Sequence, residues 1–317
     1  MRINPLYIAI ILLSAALIFI GTRWVVRGCQ NLGLGSVEGM EGMKGMKGKQ
    51  DKITYKTKPT EIYDKFYAGV YDDLMRFPPK DEYEVDAIDG VIKLGSLPCA
   101  NAVDLGSGTG HHVKLLAKKG MKCLGIDASK DMVAKAKENY PDMHFKQADI
   151  TSSMALEPSS VSLITSFSFT IYYLSSPEKR VFFQNCFRWL KPGGYLVIHL
   201  VNKDKFNTII PAADPFIIIS PQNYVKQRLT HSVVHFNKHK YTADFKFDEK
   251  GGNKVRLEEW FKHRKNGNVR QNEHVLHMER QTDILALSKD VGFKMKSKID
   301  LGACGYENQF LYVLQKP

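Results

Sequence analysis

Val103-Asp104-Leu105-Gly106-Ser107-Gly108-Thr109-Gly110 decides how this chain folds. Three glycines at alternate positions let a strand end turn sharply and bring bare backbone against a ligand, with no Cβ in the way. The helix predicted to follow, His111 to Lys119, points its amino terminus at the same place and favours an anion there. Dinucleotide folds usually space their glycines G-x-G-x-x-G. Here the spacing is G-x-G-x-G behind an acid, Asp104, which can order the loop and meet the ammonium of a bound amino acid.

Working outward, strands alternate with helices. The strand Asn101–Leu105 leads to that helix, and a strand at 122–126 to a helix at 130–139. Strands at 143–146 and 161–166 follow, then a helix opened by Pro177 and a strand at 195–201. This βα alternation predicts a parallel sheet with helices on both faces. After Val201 the pattern changes to long strands at 232–247, 254–264 and 269–277, with Gly251-Gly252 and Asn266-Gly267 as turns. A helix at 282–290 and two closing strands complete the chain. Upstream, Tyr63, Phe66, Tyr67, Val70, Tyr71 and Leu74 repeat at helical spacing, predicting an amphipathic helix before the main domain.

Two further strand ends carry chemistry. Leu124-Gly125-Ile126-Asp127 places an acid twenty-one residues beyond Gly106, able to accept two ribose hydroxyls. Gln147-Ala148-Asp149-Ile150 sets a polar and an apolar side chain where an adenine ring would lie. A Gly-rich turn with acids can also serve NAD or survive in an inactive scaffold, but three elements in this order weigh against both.

With Leu190-Lys191-Pro192-Gly193-Gly194 leading into the fifth strand, residues 100–201 resemble the class I S-adenosylmethionine (SAM) methyltransferase family. The resemblance implies a Rossmann-like α/β fold: a seven-stranded, mostly parallel sheet with an antiparallel last strand, and an antiparallel β insertion after the fifth strand. It implies SAM as cofactor, with Gly106, Ser107, Gly108 and Gly110 around the amino-acid part and Asp104 beside them. Asp127 takes the ribose, Asp149 and Ile150 the adenine, and Ala128 and Ser166 complete the cofactor set. The segment Ser166-Phe167-Ser168-Phe169-Thr170-Ile171-Tyr172-Tyr173-Leu174 lacks the Asn/Asp-Pro-Pro-aromatic motif of enzymes acting on exocyclic base amines. Together with Gly108-Thr109-Gly110-His111-His112 it is more similar to small-molecule N-methyltransferases, the amino-sugar N,N-dimethyltransferases and glycine N-methyltransferase among them. A small-molecule amine or hydroxyl acceptor is therefore expected, and nucleic acid is not. A membrane-side enzyme of lipid head groups or proteins, and a non-catalytic SAM-binding scaffold, are the alternatives.

An amine can be its own nucleophile, whereas a hydroxyl acceptor needs a base. Tyr172 and His199 are the catalytic candidates, with Tyr173 beside the first. Glu258, Glu259 and Glu273 could face an amine, although a solvated strand face explains them better. His231, His235 and His239 alternate along a predicted strand, and no metal centre is expected from them.

The flanking composition adds the remaining expectations. Pro5 to Thr22 carries no charge and at helical rise covers about 27 Å, close to a bilayer core. With Arg23, Trp24 and Arg27 beyond it, residues 1–27 read as an uncleaved single-pass membrane anchor, the catalytic part on the cytosolic side. Residues 28–58, rich in Gly and Met, read as a flexible linker, leaving 59–317 as the methyltransferase domain and 202–280 as its acceptor-side insertion. The net charge of +12 is concentrated at 221–298, where 17 Lys/Arg face nine Asp/Glu. Five scattered cysteines make no disulfide framework.

Overall fold

The computed structural model describes residues 53–97, 100–214, 220–248 and 251–317. From the glycine-rich strand the chain builds β2 (Asn101–Leu105), α3 (His111–Lys118), β3 (Lys122–Asp127), α4 (Lys130–Asn139) and β4 (His144–Gln147). Then come β5 (Val161–Ser166), α5 (Ser176–Trp189) and β6 (Leu190–Val201). Before them lie β1 (Ile53–Lys56), α1 (Lys65–Met75) and α2 (Pro78–Ile92). After them lie β7 (His231–Phe236), β8 (His239–Phe247), β9 (Lys254–His263), β10 (Val269–His277), α6 (Gln281–Val291), β11 (Lys294–Asp300) and β12 (Gln309–Gln315).

The main sheet has seven strands in the order β11-β12-β6-β5-β2-β3-β4. Pairings from β6 across to β4 are parallel, while β12 runs antiparallel to both β6 and β11, so the sheet is mixed. All six residues of β5 are buried, as a strand covered on both faces requires. The strand order reverses beside β2, which has β3 on one side and β5 on the other. A crevice therefore opens past the carboxyl ends of β2 and β5, and in open α/β sheets ligands bind at such a point.

The second sheet has the order β1-β10-β9-β8-β7. Two expectations change here. Residues 53–56 fall inside the expected linker, yet Ile53-Thr54-Tyr55-Lys56 pairs parallel to β10 from Val269 to Asn272. The β-branched and aromatic side chains of this short run suit a sheet edge, a local preference that the Gly/Met-rich composition upstream masks. The single long strand expected over 232–247 is a hairpin, turned at Asn237 with φ of 46°.

The transmembrane helix is also corrected. Among the described residues no helix is long and apolar enough to cross a membrane, and the stretch 5–22 lies outside them. The longest described helix, α2, has 15 residues, about 22 Å at helical rise against about 30 Å of hydrocarbon. The membrane-spanning helix expected over 5–22, and the single-pass placement built on it, therefore have no counterpart among the described residues.

Helix α1 joins the two sheets. Asp64 caps it by accepting from the Tyr67 N–H at 3.1 Å, and the same carboxylate takes Arg270 of β10 at 2.8 and 3.0 Å. At its other end Asp72 accepts the Thr109 hydroxyl at 2.6 Å. The helix is thereby laid across the glycine-rich loop.

Candidate functional site

The loop after β2 is shaped by what surrounds its glycines. Gly106 has φ of 75°, and a Cβ there would lie 2.4 Å from the Thr170 side chain. The Gly106 and Ser107 N–H groups donate to the Ile126 carbonyl at 2.8 and 3.0 Å, tying the loop to β3. Asp127, at the end of β3, accepts from Gly108 N at 2.9 Å and from Ser129 N at 2.8 Å. Its half-buried carboxylate links the loop to the start of α4, and burial pushes its pKa up against those two hydrogen bonds.

These residues wall a cavity of about 430 Å³ at the reversal point. Asp104, Gly106, Ser107 and Gly108 form one part of the wall, Asp127, Ala128, Asp149 and Ile150 another, and His199 lies further in. Asp104 is buried, accepts the Thr165 hydroxyl at 2.8 Å, and has its carboxyl pushed up to about 6 by burial. Ser107 Oγ is buried on this wall with no hydrogen-bond partner. Bare loop backbone, two acids with spare lone pairs and an orphaned hydroxyl facing one space fit a polar nucleoside ligand, and SAM in particular.

Three expected residues lie elsewhere. Gly110, with φ of 91°, does not line the cavity; a Cβ there would meet Phe145 at 2.6 Å, so this glycine serves the packing of α3 on β4. Ser166 is 1% exposed and also stands off the wall. The Tyr172 ring is fully buried, its hydroxyl accepts the Val201 N–H at 2.8 Å, and neither residue lines the cavity. The residue that reaches the cavity is its neighbour Tyr173.

His199 reaches the cavity but is a poor base. Its Nδ1 pairs with the Ser168 carbonyl at 2.5 Å, an arrangement helped by the left-handed backbone at Ser168 (φ 51°). Burial, reinforced by Lys80, pushes its pKa down to about 4, so the ring is neutral near pH 7.

Spacing alone did not reveal the polar chain above the loop. The Tyr63 and Tyr173 hydroxyls lie 2.8 Å apart, Tyr173 meets His274 Nδ1 at 2.7 Å, and His274 Nε2 meets Glu259 at 2.7 Å. Tyr63, Tyr173 and His274 line the cavity. Along β10 the residues Asn272, His274 and Leu276 are buried in alternation, the one local sign that this histidine faces inward.

His231 and His235 lie on β7 and His239 on β8, its ring 5.1 Å from that of His263, and none of the three belongs to a cluster of three or more potential metal ligands among the described residues. The one group with metal-compatible spacing there is Asp81, Glu84 and His112. Glu84 already holds Lys80 at 2.6 Å and His112 at 2.8 Å, so the acid is neutralised from within the protein.

Comparison with known proteins agrees with this geometry. Residues 102–194 match the family model described as "Methyltransferase domain". A trans-aconitate 2-methyltransferase of Sinorhizobium medicae is 29% identical over 123 residues, 38% of this chain and 46% of that protein. The dTDP-3-amino-3,4,6-trideoxy-alpha-D-glucopyranose N,N-dimethyltransferase of Streptomyces venezuelae is 24% identical, covering 45% of this chain and 57% of its own. The chain thus spans about half the length of these curated relatives. The sugar N-methyltransferase KedS8 of Streptoalloteichus shares the fold with a TM-score of 0.56 at 19% identity, over 85% of this chain and 99% of its own. Residues 102–194 thus match a methyltransferase domain, and the chain shares the Rossmann-like fold of a solved sugar N-methyltransferase.

Proposed function

We propose that this protein transfers a methyl group from SAM to an amine or hydroxyl group of a small molecule. The observation that carries the reading is one continuous cavity. It runs from the loop at 106–108 to a chamber walled by Tyr63, Tyr173, Phe206, Phe245, Leu257 and His274, beneath α1 and the second sheet. A chamber walled by α1 and the second sheet suits a small acceptor. The names of the relatives, an amino-sugar N,N-dimethyltransferase and a trans-aconitate methyltransferase, support a small-molecule acceptor, and the first of them an amine.

SAM supplies an electrophilic methyl carbon on a positively charged sulfur. The chain's own part is to hold the reactants in line and exclude water, which can supply much of the rate. The loop backbone and Asp104 would hold the amino-acid end, and Asp127 the ribose. Phe206, Phe245 and Leu257 give the acceptor end an apolar wall.

The test is transfer of labelled methyl from SAM to three probes. They are dTDP-3-amino-3,4,6-trideoxyglucopyranose, its 3-hydroxy counterpart, and trans-aconitate as a carboxylate. Transfer to the amine or the alcohol is expected. A protein that binds no SAM, or labels only macromolecules, would refute the reading.

Asp104 makes cofactor binding depend on pH. Its carboxyl titrates near 6 in the free protein, and the ammonium of a bound SAM favours the ionised form, so binding in mildly acidic solution expels a proton. SAM affinity is expected to fall by up to about tenfold per pH unit below about pH 6, and to level off above it. Calorimetry in two buffers of different ionisation heat reads the proton directly. Asp104→Asn should abolish the dependence and bind weakly throughout; equal affinity at about pH 5 and pH 7.5 for the wild type would show that Asp104 does not meet the ammonium.

A further inference from the structure

We infer that Tyr63, Tyr173, His274 and Glu259 form a proton relay that takes the proton lost by the acceptor, and hence that the acceptor group carries an N–H or O–H and is not a carboxylate. This deepens the reading above and rests on it.

The direction of the chain follows from counting donors. Glu259 is fully buried and receives four hydrogen bonds: from Tyr67 at 2.8 Å and Tyr241 at 2.6 Å on one oxygen, and from Asn272 at 3.0 Å and His274 at 2.7 Å on the other. A carboxylate so placed only accepts, so His274 carries a proton on Nε2, and in its neutral form the ring presents a bare lone pair at Nδ1. Tyr173 has one proton, and Nδ1 is the acceptor that faces it, so Tyr173 donates to His274. The Tyr63–Tyr173 bond is then donated by Tyr63. With its own proton spent on Tyr173, the Tyr63 oxygen keeps its lone pairs for a donor in the cavity that Tyr63 lines. Each bond polarises the next toward Glu259.

Burial keeps both tyrosines phenolic, which suits groups that pass a proton on and do not store a charge. The ionisable groups facing His274 are Tyr63 and Tyr67 from the α1 side, Tyr173 from the turn after β5, and Glu259 from β9. As the acceptor nitrogen or oxygen bonds to the methyl carbon, the carbon–sulfur pair stays with sulfur. The acceptor's proton passes to Tyr63, that of Tyr63 to Tyr173, and that of Tyr173 to His274 Nδ1. The positive charge lost from the sulfonium ends on an imidazolium beside the Glu259 carboxylate. A carboxylate acceptor arrives without a proton to lose and would leave this chain idle.

Two measurements on the full chain test the relay. The first needs no acceptor: in spectra of protein labelled with ¹⁵N-histidine, His274 is expected as the Nε2-protonated tautomer near pH 7, and the Nδ1-protonated form would overturn the inference. The second uses His274→Gln, which can still accept from Tyr173 and donate to Glu259 but cannot be protonated, and Tyr63→Phe. Both should bind SAM within about threefold of wild type by calorimetry, while transfer to the amino-sugar probe falls by about 100-fold near pH 7. That deficit should narrow as pH rises and solvent takes over the proton. Parallel pH profiles for wild type and His274→Gln would overturn the relay, as would a SAM-binding wild type that methylates trans-aconitate and neither the amine nor the alcohol. A wild type that fails to bind SAM at all would instead refute the methyltransferase reading beneath it.

Discussion

Asp127→Ala is expected to weaken SAM binding by at least about 100-fold while leaving a folded protein. The carboxylate performs two tasks with four lone-pair directions. Within the chain it fixes Gly108 N at 2.9 Å and Ser129 N at 2.8 Å, which sets the distance between the loop and the start of α4. Toward the cavity its remaining lone pairs would take the two ribose hydroxyls. A hydrogen bond to a charged group contributes about 1.5–3 kcal/mol, so losing two of them, discounted for water that replaces part of each, leaves about 3 kcal/mol, or roughly two decades in Kd. The raised pKa points the same way, since the cost of burying this charge is partly unrelieved until donors arrive. Ser129 also caps α4 through its side chain, accepting from Met132 N at 3.1 Å, so the helix does not depend on Asp127 for its start. Calorimetric titration with SAM is the measurement. An alanine variant that binds within threefold of wild type would place the ribose elsewhere.

The cofactor half of the site was legible because its determinants are local in the chain. Gly106, Gly108 and Asp127 sit at strand ends, and in a parallel sheet the ends of β2 and β3 lie side by side whatever else the chain does. Tyr172 was misplaced for a different reason. Past β5 the backbone leaves regular geometry, with Ser168 at φ of 51° followed by a turn of 3-10 helix over Thr170–Tyr173. No period carries through such a segment, so spacing cannot say which of two adjacent tyrosines faces the cavity. Gly110 was legible as a glycine and misread in purpose, because the crowding comes from Phe145, a residue of another strand. The acceptor half was least legible. His274 and Glu259 meet across the β9–β10 pair, and Tyr67 reaches the same acid from 192 residues away. Only the tertiary fold brings them together, and in the sequence Glu259 looks like one acid on an exposed face.

Glu259→Gln is expected to be the most destabilising conservative substitution in the second sheet, and a test of whether this acid is an interior hub. The side chain lies on β9 at 0% exposure and accepts from α1 through Tyr67, from β8 through Tyr241, and from β10 through Asn272 and His274. Glutamine keeps one accepting oxygen and turns the other into an NH₂ facing two donors, so at least two buried donors lose their partner. Breaking a buried charged network in this way costs about 3–5 kcal/mol, which at about 2–4 °C per kcal/mol for a domain of this size lowers Tm by roughly 6–20 °C. Burial opposes ionisation of Glu259, but in acid the charge of a protonated His274 ring and its hydrogen bond, with the bonds from Asn272 and Tyr241, hold its pKa below the ordinary glutamate value. The folded-state value is therefore depressed, and the stability Glu259 contributes is present in full above about pH 4.3, the unfolded value, and is lost as pH falls through the lower, folded one. Scanning calorimetry at neutral and acid pH should show wild type and variant Tm values far apart at neutral pH and converging below about pH 4. Because Tyr67 belongs to the helix that covers the loop, the same substitution should loosen that cover, and amide exchange in α1 should quicken more than in β2 or β5. Equal protection of α1 in the two proteins would mean that Asp64 and Asp72 hold the helix down without help from Glu259.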